Sequence, residues 1–262
     1  MQYQELPATG DFALFVERYW RFTIEDSDPE SYEHVIVPDG SFSLALAESP
    51  DGEGYLTIRG VSAVAARVPA MRGWRYTGAR LRAGTARVLL GIEPLDLTER
   101  RHALAERLPE LAQALQRACS RAPTLASFAA GFEAAARERC RPNEVDTEVV
   151  EMARRLIASD GFTALGDIMT GFSVGERQLR RRFLRETGLT PKVYSRLRRV
   201  RRACIDLAYQ RPGETAAISA DHGYADQAHF SRELKAVFKM SPRALNAYLY
   251  QIRHFNVEEL VE

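Results

Sequence analysis

The C-terminal third of the chain contains an internal repeat, which constrains the fold more than any other feature of the sequence. Six pairs of matching residues recur at an offset of 51 residues: Leu179 and Phe230, Arg181 and Arg232, Phe183 and Leu234, Leu189 and Met240, Thr190 and Ser241, and Pro191 and Pro242. Six matches in one register indicate two copies of one supersecondary unit. Each copy ends in a hydroxyl residue followed by proline, which is typical of an N-cap and the first position of a helix.

Each copy has the pattern of a helix-turn-helix. In the first unit, residues 163–187, a short helix over 163–170 precedes a turn and a helix over 176–187. In the second, residues 215–238, a short helix over 215–222 leads to a turn at Gly223 and a helix capped by Asp226. One long helix over 190–209 joins them, and the sequence Arg-Pro-Gly at 211–213 ends it. Its buried edge is predicted to contain Tyr194, Leu197, Val200, Cys204 and Leu207.

The last helix of the second unit is amphipathic in a way that suits DNA. In a helix-turn-helix the second helix packs by one stripe and places the opposite face in the major groove. Phe230 and Leu234 form the apolar stripe. The other face contains small, basic and hydrogen-bonding residues: Ala228, His229, Ser231, Arg232 and Lys235. A solvated amphipathic helix is the alternative interpretation.

Charge is concentrated in the first unit and the joining helix. Residues 176–202 contain 11 basic and two acidic side chains, although the whole chain has a formal charge of only +1. Most of these bases are arginines, which suit bidentate recognition of phosphates and guanine edges. In the joining helix, Arg196, Arg199 or Arg202 is expected to contact phosphates and fix the register of the two units.

The first ninety residues read as strands and turns. Residues 41–47 alternate with period two between two Pro-Asp-Gly turns, and further strands are expected at 34–37, 55–58, 80–82 and 87–90. Helices follow over 97–140, interrupted at Pro109, and residues 139–145 read as a linker. The predicted fold class is α+β with two domains: an N-terminal antiparallel β-sandwich or barrel with flanking helices, and a C-terminal all-α double helix-turn-helix.

Three stretches carry a family resemblance. Gly188-Leu-Thr-Pro191, Arg201-Arg202-Ala203, and the run from Gly223 to Arg232 with Ser241-Pro242 resemble the AraC/XylS transcription regulators. The N-terminal part is similar to a poorly characterised domain found ahead of AraC-type modules, through Tyr19-Trp20, Pro38-Asp39-Gly40 and residues 78–90. The resemblance implies a sensor or dimerisation domain over 1–141 and a DNA-binding domain over 146–250.

The same resemblance implies contacts with promoter or operator DNA. The base-facing candidates are Arg177, Arg180 and Arg181 in the first unit and Ala228, His229, Ser231 and Arg232 in the second. Lys235, Arg199 and Arg202 are further expected DNA contacts because of their charge and their positions on the helices. The first unit departs from the family pattern. Gly175 replaces the usual capping residue, and Ser173 stands where a turn glycine is expected. At the end of the second unit, Lys239 replaces a glycine before the final Ser-Pro.

Other partners follow from the resemblance or from apolar residues. RNA polymerase is implied by the family. A homodimer interface is one interpretation of the stripe Leu104, Leu108, Leu111 and Leu115, and packing of this stripe on the chain's own sheet is the other. A small-molecule effector is a further expectation, with Trp20, Phe42, Trp74, Tyr76 and Arg80 as candidate pocket residues. The alternative is that these aromatic residues are core.

The sequence argues against several other classes. His34 and His102 are isolated, and there is no nucleophile elbow, phosphate-binding glycine loop or zincin motif, so neither an enzyme nor a cofactor or metal is expected. No apolar run has the ~20 residues that a membrane helix needs, and the N-terminus lacks a signal pattern. Cys119, Cys140 and Cys204 suit a reducing cytoplasm. A protein-binding adaptor without DNA affinity remains the alternative function.

Overall fold

Antiparallel strands form the N-terminal part of the chain. The structure, a computed structural model, describes residues 2–24, 30–209, 219 and 221–252. The strands are β1 (Gln2–Pro7), β2 (Val16–Thr23), β3 (Ser31–Ile36), β4 (Phe42–Glu48), β5 (Gly54–Arg59), β6 (Ala66–Met71), β7 (Arg75–Leu81) and β8 (Arg101–Ala103). Six of them form one sheet in the order β1-β2-β7-β4-β5-β8, and β3 pairs with β6 in a second sheet. Among the described strands no pairing joins the two sheets, so they enclose an open sandwich and not a closed barrel.

Five α-helices lie after β7 in the described N-terminal part, with β8 between the second and the third, and they share one core with the large sheet. They are α1 (Ala86–Leu90), α2 (Pro94–Leu97), α3 (Leu104–Arg107), α4 (Pro109–Cys119) and α5 (Leu125–Ala136). Tyr19 of β2 meets Phe132 of α5 edge to face, with ring centroids 5.7 Å apart, and its hydroxyl donates to Glu133 Oε1 at 3.0 Å. Burial of this ring and its neighbours stabilises the sheet–helix packing.

The leucine stripe belongs to this core. Leu104, Leu111 and Leu115 are buried in the same cluster as the sheet's inner face, and Leu108 packs against that cluster. The second of the two interpretations of the stripe therefore holds: it covers the chain's own sheet. Pro109 is the first residue of α4, where its missing N–H costs no hydrogen bond.

The expected strand at 87–90 is wrong. These residues lie in α1, which ends at Gly91 in the left-handed conformation with φ of 68°. Leu89 and Leu90 are buried, and a short apolar run of this kind has the same pattern in a buried strand and in a buried helix. The glycine that ends the helix is the local signal that separates the two.

Six α-helices lie in the described residues of the C-terminal part. They are α6 (Thr147–Ala158), α7 (Leu165–Ile168), α8 (Glu176–Thr187), α9 (Pro191–Tyr209), α10 (Gln227–Phe238) and α11 (Pro242–Ile252). The helices α8, α9 and α10 agree with the sequence prediction. Pro191 and Pro242 are the first residues of their helices, and the Asp226 carboxylate caps α10 by accepting from the His229 N–H at 2.6 Å. The predicted short helix at 215–222 and the stop at 211–213 lie largely outside the described residues.

The departures from the family pattern have simple local solutions. Gly175 is the N-cap of α8 without a side-chain hydrogen bond. Gly171, and not Ser173, has the left-handed conformation in the first turn, with φ of 83°. Lys239 takes the place of the usual glycine at the end of α10 with φ of 56°, a conformation that costs about 1 kcal/mol or more for a residue with a side chain.

The N-terminal part contacts both helix-turn-helix units. Arg87 of α1 donates from Nε to Glu186 Oε2 of α8 at 2.7 Å. Beside the second unit, the Ala65 N–H donates to the Val237 carbonyl at 2.8 Å, and the Val35 N–H donates to the Tyr248 hydroxyl at 2.9 Å. The two units are thus held by one common support. No helix in the described ranges has the length and apolarity to cross a membrane.

Candidate nucleic-acid interface

The helix α8 divides its arginines between an inner and an outer face. Leu179 and Phe183 are fully buried, whereas the predicted contacts Arg177, Arg180 and Arg181 are exposed. Arg180 lies 3.3 Å from Glu176 on the same helix, which is an exposed pair of small energetic weight. The three arginines therefore share a solvent face opposite the core.

Two other arginines of α8 serve the fold. Arg182 donates from Nε to Asp146 Oδ2 at 2.7 Å and from Nη1 to Glu148 Oε2 at 2.7 Å, which ties α8 to the start of α6. Burial raises the pKa of Asp146, but the hydrogen bonds from Arg182 and the Val149 N–H, together with the charges of Arg182 and Arg185, hold that pKa below its usual range. Arg185 donates to the buried carboxylate of Glu186 at 2.8 Å. The bonds of Arg182 hold α8 against the start of α6 without using the outer face of α8.

The helix α10 repeats this arrangement. Phe230 and Leu234 are fully buried, as their repeat partners are. Four of the predicted contacts are exposed on the opposite side of the helix: Ala228, His229, Arg232 and Lys235. The fifth, Ser231, is half-buried. Arg181 and Arg232, which correspond in the repeat, are thus both exposed on equivalent helices. The His229 ring packs edge-on against Tyr224, with centroids 5.4 Å apart.

The long helix α9 uses much of its charge within the protein. Arg199 donates from Nη1 to the Gly161 carbonyl at 3.2 Å, and Arg196 Nε lies 4.0 Å from Glu233 of α10. Arg202 is 46% exposed beside Asp206 at 3.7 Å. Of the three arginines expected to contact phosphates, only Arg202 therefore has both an exposed side chain and a weak partner.

Arg201 has a role that the sequence reasoning missed. Its side chain is only 3% exposed, and its Nη1 lies 3.7 Å from Asp39 Oδ2 in the N-terminal part. The signal was its spacing: Arg201 is seven residues after Tyr194 and four after Leu197, which places it on the buried edge of the helix. Its guanidinium enters a cavity of the N-terminal part and does not face the solvent.

This cavity of about 240 Å³ lies between the two sheets. Three of the residues that the sequence predicted for a ligand pocket line it, namely Trp20, Tyr76 and Arg80. Phe42 lies on the other face of β4, buried in the sheet–helix core. Trp74 stacks on Tyr76 with centroids 6.3 Å apart and lies behind the lining. The structure thus brings together part of the predicted set.

The histidines do not assemble into a metal site within the described residues. No group of three or more His, Cys, Asp or Glu side chains there has the arrangement that a metal ion needs. His34 stacks on Phe22 with centroids 5.4 Å apart, and its Nδ1 lies 3.0 Å from the Tyr248 hydroxyl of α11. Burial lowers the pKa of His34 to about 4. This residue contributes to the contact between the two parts of the chain.

Comparisons with known proteins match two separate segments of the chain. Residues 168–247 match a family described as "Helix-turn-helix domain", and residues 4–103 match a "Domain of unknown function (DUF6597)". No curated protein matches the sequence.

Among solved structures, ToxT from Vibrio cholerae O395 is similar with 12% identity over 95% of this chain and 97% of that chain, at a TM-score of 0.43. ToxT bound to (E)-4-(8-methylnaphthalen-1-yl)but-3-enoic acid gives 12% identity, 95% and 100% coverage and a TM-score of 0.43. An apo ToxT variant from Vibrio cholerae strain SCE256 gives 14% identity, 85% and 98% coverage and a TM-score of 0.44.

Proposed function

We propose that this protein, in which a DUF6597 domain precedes an AraC-type helix-turn-helix domain, is a sequence-specific transcriptional regulator that reads two adjacent major-groove segments of double-stranded DNA. The observation that carries the proposal is the equivalence of α8 and α10. Both bury the same pair of repeat positions, Leu179 with Phe183 and Phe230 with Leu234, and both expose an arginine at the same offset. Two equivalent helices on one rigid connector suit two successive grooves.

The exposed residues divide into two kinds of contact. Arg181 and Arg232 lie centrally on their exposed faces, where a guanidinium can reach a guanine edge with two hydrogen bonds. Ala228 has no bulk that would hold α10 away from the bases. Arg177 lies at the N-terminal end of α8, the end of a recognition helix that contacts base edges. Lys235 lies toward the C-terminal end of α10, where a phosphate contact positions the protein without reading sequence.

A mobility-shift series with the full chain tests this function. DNA selected from a random pool by repeated binding should show two conserved segments about one helical turn apart. Affinity should fall steeply between roughly 50 and 200 mM salt, because cationic side chains release counterions from phosphates. Failure of the folded protein to select any sequence, or to bind DNA at low salt, would favour a protein-binding adaptor.

The proposal includes control by a small molecule in the cavity between the sheets. The N-terminal part contacts α8 through Arg87 and α11 through the Val35 backbone, and Arg201 of α9 enters the cavity itself. A ligand that changes how these groups pack would therefore change the relative placement of the recognition helices. Loss or gain of DNA affinity on adding the effector is the measurement.

Further parts of the proposal rest on the resemblance to AraC/XylS regulators: cytoplasmic action at promoters, contact with RNA polymerase, activation of transcription and a homodimer. Because Leu111 and Leu115 are buried within the chain, a dimer would use another surface. Sedimentation of the full chain with and without operator DNA would determine the oligomeric state.

A further inference from the structure

The cavity wall formed by the large sheet begins with a row of arginines. In the strand register Arg101 lies opposite Arg59, Arg59 opposite Ser43, and Ser43 opposite Arg80. Residues directly opposite one another in an antiparallel sheet project from the same face. All four line the cavity, so three cations and one hydroxyl cross four adjacent strands in a single line.

The next two rows of side chains along the strands are first small and then aromatic. Two residues further along the strands are the small side chains of Thr57 and Ala45 together with Gly78, which lies opposite Trp20. A methyl group on Gly78 would be 2.5 Å from a Trp20 ring carbon, so glycine is what lets the indole lie against the sheet. Another two residues along, the row is aromatic and contains Tyr55, Tyr76 and Phe22. The wall is therefore cationic at one end, open in the middle and aromatic at the other end.

The arginine pair at the edge of this row lacks a counter-charge. Arg59 and Arg101 are directly opposite on neighbouring strands, an arrangement that is destabilising for like charges. Neither forms an ion pair with a carboxylate in the described part of the chain. Burial, and next the charge of Arg101, lower the pKa of Arg59. An anion between these side chains would remove the repulsion.

Arg201, from the C-terminal part, is a further cation of the cavity with an unsatisfied hydrogen-bond donor. Its Nη2 is buried and has no hydrogen-bond partner among the described residues. Burial, followed by the charges of Arg198 and Arg80, lowers the pKa of Arg201 to about 9. A buried guanidinium N–H without an acceptor is unfavourable, so a group placed in the cavity with a free acceptor would be stabilised there.

The nearby carboxylates do not fill this need. The described cavity lining has four arginines and one aspartate, a net charge of +3. That aspartate, Asp39, already accepts from the Ser41 N–H at 2.9 Å and from its hydroxyl at 2.6 Å, and pairs with Arg80 at 3.3 Å. Glu5 borders Arg80 at 3.9 Å but is shared with Arg18 at 3.2 Å.

We propose that the cavity binds a small organic acid with an apolar body, whose anionic group lies over Ser43 among Arg59, Arg80 and Arg201. The body lies toward Trp20 and Tyr76. This proposal rests on the effector part of the proposed function and names the chemical class of the effector. It also gives the means of regulation: the acid is bound by both domains at once, so it stabilises the arrangement in which α9 is docked on the N-terminal part.

Calorimetric titration of the full chain, without DNA, tests the site directly. The probes are phenylacetate, 4-phenylbutyrate and octanoate, each paired with its uncharged amide, and inorganic phosphate as an anion without a body. At least one acid should bind, and its amide should bind at least tenfold more weakly, because a charge-assisted hydrogen bond is lost. Equal binding of acids and amides, tight binding of phosphate alone, or no binding of any acid would overturn the proposal.

Three variants locate the bound group. Arg59→Gln and Arg201→Gln should each weaken the acid about tenfold or more, whereas Arg67→Gln, which lies outside the lining and pairs with Glu33 at 2.6 Å, should bind it as the parent does. Replacing Arg201 does not isolate Asp39, because Asp39 retains Arg80 and Ser41. If Arg201→Gln unfolds, Arg59→Gln still decides the matter. Unchanged affinity in a folded Arg59→Gln protein would contradict the assignment.

Regulation is measured separately from binding. At a saturating concentration of the acid, the parent should change its affinity for DNA and Arg201→Gln should change it much less. Acid binding that leaves DNA affinity unaltered would refute the coupling through α9. Acid binding by a protein that reads no DNA sequence would instead overturn the proposed function and leave the anion site intact.

Discussion

The carboxylate of Glu186, at the end of α8, is fully buried and accepts a hydrogen bond from Arg87 of the N-terminal part at 2.7 Å. The hydrogen bond that Arg87 donates to Glu186 raises the pKa of Arg87. Glu186 has a second cation, Arg185, whose side chain is 56% exposed. The contact between the two domains at α8 therefore contains a buried carboxylate that is paired with two arginines, Arg87 and Arg185.

Removal of Arg87 should weaken this joint. Arg87→Ala leaves the buried carboxylate with only its exposed partner, and we expect the free energy of unfolding to fall by about 1–3 kcal/mol. Urea denaturation of the full chain measures the change. Arg67→Ala is the matched control, since its pair with Glu33 is exposed on both sides and should contribute less than about 1 kcal/mol. Similar losses in the two variants would show that burial of Glu186 gives the joint no special weight.

Base reading should depend on the two equivalent arginines. Arg181→Ala and Arg232→Ala should each weaken specific binding by about 1–3 kcal/mol and relax preference at one position in one segment of the site. Binding curves on the selected operator and on single-base variants measure both effects. Arg154→Ala, on the exposed face of α6 beside Glu151, should leave affinity and preference unchanged. A uniform loss on all sequences would assign phosphate contacts to Arg181 and Arg232.

The arginines of α9 should separate by their contacts. Arg202→Gln should reduce the salt slope of DNA binding by about 0.9, the value for one lost phosphate contact. Arg199→Gln should leave the slope unaltered and lower the free energy of unfolding by about 1 kcal/mol, because it loses the bond to the Gly161 carbonyl. Identical slopes for Arg202→Gln and the parent would show that α9 only holds the two units together.

The stability of the full chain should decline in acid through His34. The pKa of His34 is lowered by burial to about 4 from the ordinary 6.5. Between these values the unfolded chain binds the proton and the folded chain does not. The free energy of unfolding is therefore highest above pH 6.5 and decreases as pH falls toward 4.

Urea denaturation across this range measures the effect, and His34→Gln should flatten the curve. Tyr248→Phe removes the neighbouring hydroxyl without removing the titrating group, so it should lower stability at every pH and keep the slope. A parent-like slope in His34→Gln would assign the acid sensitivity to other groups.

Local sequence signals predicted the parts of this structure that are built locally. The repeat indicated α8 and α10, Asp226 indicated the start of α10, and Pro191 and Pro242 indicated the starts of α9 and α11. Asp226, Pro191 and Pro242 each act within a few residues of their own positions. The apolar stripe of α4 was visible for the same reason. The sequence did not determine what this stripe packs against, because an apolar face has the same periodicity whether it packs on a sheet or on a second subunit.

The cavity depended on information that is not local. The alternation in β4 identified a strand, but both of its faces are interior: Phe42 and Leu44 face helices, while Ser43 and Ala45 face the cavity. Period two alone does not say which face meets a ligand. The opposition of Arg59 and Arg101 appears only when two strands 42 residues apart take their register.

The contacts of the N-terminal part with both helix-turn-helix units have a consequence for the spacing of the DNA half-sites that this protein accepts. The N-terminal part contacts α8 through Glu186 and α10 through the Val237 carbonyl. These contacts restrain the orientation of α8 relative to α10 in addition to the restraint from α9. One inserted base pair rotates the second half-site by about 35° relative to the first, because a helical turn contains 10–10.5 base pairs. Two helices restrained by the N-terminal part adapt poorly to this rotation of the half-sites, whereas two helices joined by α9 alone can rotate more freely relative to each other. Under the proposed function, the N-terminal part therefore sets the helical phase between the two half-sites, and a change that weakens its contacts with α8 and α10 should make the protein tolerant of operators with altered spacing.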